Sequence, residues 1–165
     1  MENEIWLMYY KKHTGKESVS YEEAVEEAIC FGWIDSQVNT IDADSYMQRY
    51  SRRNKNSAWS ESNKERVVRM IEQGRMTEAG MASVLAAKNG GHWDELTPVE
   101  NLEMPPDLEA ALAANPKANE NFASLSPSHR KQYLYWVLSA KTEETRKKRI
   151  KKTVKRSALG KKPNE

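Results

Sequence analysis

The chain is short of the residues that mark several protein classes. Its single cysteine, Cys30, among 165 residues leaves no partner for an internal disulfide and no multi-cysteine zinc site. Seven glycines and six prolines are too few for collagen-like or low-complexity architecture. The longest apolar run, Ile5 to Tyr10, has six residues, far below the ~20 that a membrane helix needs. The opening Met-Glu-Asn-Glu carries no basic leader or apolar signal segment, so a cytoplasmic location is expected. His13, His92 and His129 are scattered, and no metal site is expected from them. There is no Gly-x-Ser-x-Gly elbow, and Gly15-Lys16 lacks the rest of a phosphate loop. No nucleophile–base pair can be assembled. No catalytic residue and no cofactor are expected, and an enzyme is the weakest of three readings.

Charge is abundant and unevenly placed. The net charge of +2 hides a basic end, with eleven Lys/Arg and three Glu over residues 141–165. The preceding 140 residues carry 15 Lys/Arg and 21 Asp/Glu. A basic tail on an acidic body fits a nucleic-acid or anionic-lipid partner, or simple docking onto the body it complements.

The periodicity predicts α+β architecture: a small antiparallel sheet with one packed helix, then a mainly helical C-terminal half. Residues 5–10 read as a strand covered on both faces, because both parities are apolar. Ser20 followed by Glu23 is a capping-box spacing, opening a helix that Gly32 ends. Residues 33–38 and 45–51 read as a hairpin across the polar turn Asp42-Ala43-Asp44. Ser60 or Ser62 caps a helix with Val67, Val68 and Ile71 inward. Thr77 opens another with Met81, Val84 and Leu85 inward. Asn115-Pro116 and Ser126-Pro127 each pair a cap with a first-turn proline. Thr142 caps a basic helix whose apolar line is Ile150, Val154 and Ala158. The expected division is an α+β lobe over 1–91, a linker over 92–104 and a helical lobe over 105–160.

Three candidate sites follow. Arg49, Arg52 and Arg53 lie beside Trp59, Ser60 and Asn63 where a helix begins, a combination suited to a carboxylate or phosphate. The alternative makes Ser60 only a cap, Trp59 a filler and the arginines solvated or ion-paired. Trp33 and Asp35 share a strand face that could line the same cleft, or Asp35 could instead fix hairpin register by pairing with an arginine. Lys147, Lys148, Arg149, Lys151, Lys152, Lys155 and Arg156 could neutralise phosphates, giving salt-sensitive nucleic-acid binding. The alternative there is a solvated helix face. Cys30 reads as a buried structural thiol.

The segment EIWLMYYKKHTGKESVSYEEAVEEAICFGWIDSQ, with RYSRRNKNSAWSESN and EQGRMTEAG after it, resembles the YdeI/OmpD-associated (OmdA, bacteriocin-protection) family. FASLSPSHRKQYLYWVLSAKTEETRKKRIKKTV resembles that family's second block, so the likeness runs over roughly residues 4–160. Family members usually begin with an extra helix before the first strand; its absence here implies a missing helix or a truncated start. The resemblance implies a link to antimicrobial-peptide tolerance and supplies no reaction or cofactor; with no catalytic set in the sequence, a non-catalytic binding role linked to stress or such tolerance is expected. An anionic small molecule or an acidic protein group is the expected partner, with nucleic acid as the alternative.

Overall fold

The turn Asp42–Asp44 is held by one carboxylate oxygen. Asp42 Oδ1 accepts from the backbone N–H of Asp44 (2.8 Å) and Ser45 (2.7 Å) and from the Ser45 hydroxyl (2.8 Å). Those bonds, the Ser45 hydroxyl first, hold the Asp42 carboxyl below its ordinary value. The turn joins β2 (Trp33–Thr40) to β3 (Ser45–Arg52). β1 (Glu4–Tyr10) pairs with the other edge of β3, giving an antiparallel sheet of order β1-β3-β2. This computed structural model describes residues 2–163, and the chain divides between Glu95 and Leu96 into two units.

In the first unit the sheet's inner face packs on α1 (Tyr21–Cys30), with α2 (Glu61–Glu72) and α3 (Glu78–Asn89) completing the core. The capping box expected at Ser20 is present in both directions: Glu23 N–H donates to Ser20 Oγ and Ser20 N–H donates to Glu23 Oε2. Tyr9, Val25, Ile29, Tyr50, Trp59, Val67 and Val84 are buried together, and each aliphatic member contributes about 1.5–3 kcal/mol. Cys30 is buried, and burial pushes its thiol up.

Three inward assignments shift. β1 is a sheet edge and not a doubly covered strand: Trp6 and Met8, of one parity, are exposed on the outer face. In α2 the inward pair is Val67 and Met70, while Val68 and Ile71 are exposed. In α3 it is Val84 and Ala87, with Leu85 exposed. An apolar residue one step off the 3.6-residue stripe looks inward in sequence and faces out in the helix.

The second unit is helical. α4 (Thr97–Glu100) falls inside the stretch expected as a linker and sends Val99 into the core. α5 (Pro106–Ala113), α6 (Pro116–Ser124), α7 (Pro127–Leu138) and α8 (Glu143–Ala158) follow. Leu108, Leu112, Phe122, Tyr133, Leu134, Val137 and Ile150 form its core. Both Asn115 and Ser126 cap the helices they precede, with proline at the first turn. No helix among the described residues is long and apolar enough to cross a membrane.

Candidate functional site

The cluster expected around Arg49, Arg52 and Arg53 divides. Positions 49 and 52 have opposite parity on β3, so they project from opposite faces of the sheet. Arg49 is opposite Trp6 on the outer face, where its guanidinium pairs with Glu4. Arg52 is opposite Trp33 and lies exposed at the strand end. Arg53, beyond the strand, lies over the buried Trp59 ring, 3.6 Å from its centroid. Its Nη2 donates to the Ala58 carbonyl at 2.8 Å, while Nε and Nη1 are buried without a partner. Burial pulls this guanidinium down to about 10, with the Asp35 charge acting against that shift. Ser60 is the cap of α2, and its hydroxyl accepts from Asn63 N–H at 3.4 Å. Asn63 Oδ1 accepts from Arg66 Nη1 at 2.9 Å. The guanidinium groups thus do not gather where the helix opens, and the capping reading of Ser60 describes what is there.

Asp35 organises the inner face instead. It lies opposite Tyr50, and Oδ2 accepts from Tyr21 Oη (3.0 Å) and from Gln48 Nε2 (2.7 Å). Gln48 is 3% exposed, so Asp35 satisfies an amide that water cannot reach. Tyr9 and Tyr50 share a hydroxyl hydrogen bond of 2.7 Å beside it. Burial, then the Asp35 charge and hydrogen bond, push Tyr21 up to about 12. Burial and the Tyr9 hydrogen bond push Tyr50 further up. Trp33 is half-buried against this core. The cluster is satisfied mostly within itself, and its hydrogen bonds tie the hairpin to α1.

The acidic pairs of α1 are bound, not merely solvated. Glu22 takes Arg66 bidentately at 3.0 and 2.6 Å, Arg69 bridges Glu22 and Glu26, and Arg75 reaches Glu26 and Glu27. These partners lie more than forty residues apart, so no local spacing in the sequence announces them.

A concave surface lies in the second unit, between α5 and α8. Its apolar floor is Ala111, Ile150, Val154, Ala158 and Leu159, and its volume is about 780 Å³. Lys147, Lys151 and Lys155 follow one rim at intervals of four. Arg146 closes one end, donating Nε and Nη2 to the two carboxylate oxygens of Asp107 at 2.6 and 2.8 Å. That guanidinium holds the Asp107 carboxyl below its ordinary value. Lys147 also pairs with Glu143, whereas Lys151 and Lys155 make no hydrogen bond or ion pair among the described residues. The sequence reveals the line Ile150-Val154-Ala158, but not that α5 leaves it open on one side.

The remaining cations of α8 point elsewhere. Lys148 pairs with Glu144 at 2.7 Å. Arg149 donates to the Trp136 carbonyl at 2.6 Å and to the Ser139 hydroxyl at 3.0 Å. Lys152 is 5.6 Å from the Trp136 ring centroid, and Arg156 donates to the Lys162 carbonyl. The seven cations expected to act as one phosphate-binding face are therefore spread around both flanks of the helix. Among the described residues no group of three His, Cys, Asp or Glu could hold a metal ion.

Fold and surface together define a two-unit α+β protein with a small sheet unit and a grooved helical unit. Residues 101–160, within the helical unit, match the family model described as Bacteriocin-protection, YdeI or OmpD-Associated. Residues 1–83, half of the chain, match the model described as Domain of unknown function (DUF8412), and the chain belongs to that family through its sheet unit. The family likeness drawn across residues 4–160 is thus carried by its C-terminal block. No curated protein and no solved structure matches the chain.

Proposed function

We propose that the protein is a non-catalytic binding protein that holds an acidic amphipathic helix of a protein partner in the α5–α8 groove, in a role connected with bacteriocin tolerance. The observation that carries this reading is the ammonium pair of Lys151 and Lys155, without hydrogen-bond or ion-pair partners among the described residues, beside the apolar line Ile150-Val154-Ala158. Residues four apart on a helix are about 6 Å apart along its axis, so Lys147 to Lys155 cover about 12 Å. A helix laid along α8 with carboxylates at the same interval meets all three, and its apolar stripe meets the floor. The volume lies in the range of binding clefts. The connection with tolerance is taken from the description of the family model that spans every groove residue.

The test uses two designed helical peptides with one shared apolar stripe, flanked in one by glutamates and in the other by lysines. The acidic peptide is expected to bind, weakening as salt rises, and the basic peptide to bind at least tenfold more weakly. Lys151→Glu with Lys155→Glu is expected to invert that preference without lowering the melting temperature. Equal binding of the two peptides, or of the wild-type and reversed proteins, overturns the reading.

A further inference from the structure

A second concave site lies on the opposite flank of α8, against α7, and shares no residue with the groove. Its volume is about 470 Å³, and Gln132, Tyr135, Trp136, Ser139, Lys152 and Arg156 are among its lining residues. The chemistry of this lining is lopsided. Two cations one turn apart on α8, Lys152 and Arg156, face the aromatic wall of Trp136 and Tyr135, and no carboxylate of the described residues lines the site. Lys152 makes no hydrogen bond or ion pair among the described residues, and its ammonium lies 5.6 Å from the Trp136 ring centroid. Arg156 spends Nη2 on the Lys162 carbonyl at 2.9 Å, and its Nε is buried without a partner. Among the described residues this positive charge beside an apolar wall has no carboxylate partner, and an anion that also presents a flat ring satisfies both surfaces at once.

The C-terminal tail shapes the entrance. Tyr133 Oη donates to the Lys161 carbonyl at 3.0 Å and Arg156 holds Lys162, so the tail is fastened across one side, with Pro163 in the lining. A site walled on that side suits a single nucleotide better than a strand that must run through.

We infer that this α7–α8 site binds a nucleoside monophosphate, its base against Trp136 and Tyr135 and its phosphate between Lys152 and Arg156. Gln132 and Ser139 supply uncharged polar groups at the edge of the base. The inference stands on different residues from the groove and survives or falls separately.

The experiment is calorimetric titration of the full chain with AMP, adenosine, ribose 5-phosphate and a short single-stranded oligonucleotide, with the Trp136 indole N–H resonance followed in parallel. AMP is expected to bind and to move that resonance. Adenosine and ribose 5-phosphate are each expected to bind at least tenfold more weakly, because each presents only half of the recognised chemistry. Lys152→Glu, an exposed substitution, is expected to weaken AMP at least tenfold with an unchanged melting temperature. Four outcomes overturn the proposal: no binding of AMP, equal binding of AMP by Lys152→Glu, ribose 5-phosphate binding as tightly as AMP, or oligonucleotide binding without AMP binding.

Discussion

Asp35 accepts hydrogen bonds from Tyr21 and from the buried Gln48, so its loss is felt by both. Asp35→Ala leaves the Gln48 amide without its acceptor, and an unfolding titration is expected to show a loss of about 2 kcal/mol from the sheet unit. Tyr21 supplies a pH test. Its folded-state value is raised to about 12 from an ordinary 10, so its stabilising effect is complete below pH 10 and is lost as pH rises towards 12. Tyr50 acts in the same direction. Tyr21→Phe is expected to cost about 1 kcal/mol at neutral pH and to flatten the alkaline decline, as measured by chemical denaturation at stepped pH. At this scale the sequence reveals the parts but not their partners. The strand face carrying Trp33 and Asp35 is legible from alternation. That Asp35 meets Tyr21 and Gln48, and that Arg53 stacks over the Trp59 ring, depends on how three elements close on one another. Arg49 was misplaced because three nearby arginines read as a cluster, although strand parity separates positions 49 and 52.

Among elements, α3 lies close against the end of α1. Thr77 caps α3, and both its N–H and its hydroxyl donate to the Cys30 carbonyl, at 3.1 and 2.6 Å. A Cβ on Gly80 would lie 2.3 Å from that same oxygen. Gly80→Ala is therefore expected to push the two helices apart and cost about 2–3 kcal/mol, read as a lower midpoint in urea. Nothing in the local pattern marks Gly80, because a glycine inside a helix looks like a weak point until its neighbour is known. The Glu22–Arg66 pair between α1 and α2 is partly exposed, so Arg66→Ala is expected to cost only about 1 kcal/mol, and less as salt is added. Arg66 hydrogen bonding holds the Glu22 carboxyl below its ordinary 4.5. That contribution is present above pH 4.5 and is lost as pH falls through the lower folded value. Caps, turn and helix order were legible because each is written within a few residues, as at Ser20–Glu23 and Asp42–Ser45. Inward faces were less so: Val68 and Leu85 sit one step off the buried stripe, and only the packed partner decides which way they face.

For the whole molecule, the charge asymmetry read from the sequence resolves into local arrangements. The basic end is one helix whose cations serve two different surfaces: Lys151 and Lys155 rim an apolar groove, while Lys152 and Arg156 face Trp136. A count of charges per segment cannot distinguish these, because it discards the angle around the helix axis. The α5–α8 groove is proposed to receive an acidic helix. The direct measurement is an amide chemical-shift map of the full chain titrated with the glutamate-flanked peptide. Shifts are expected to concentrate at Ala111, Lys147, Ile150, Lys151, Val154, Lys155 and Ala158, and to fade as salt is raised. A saturable interaction whose shifts fall in the sheet unit, or no shift at these positions, would contradict it.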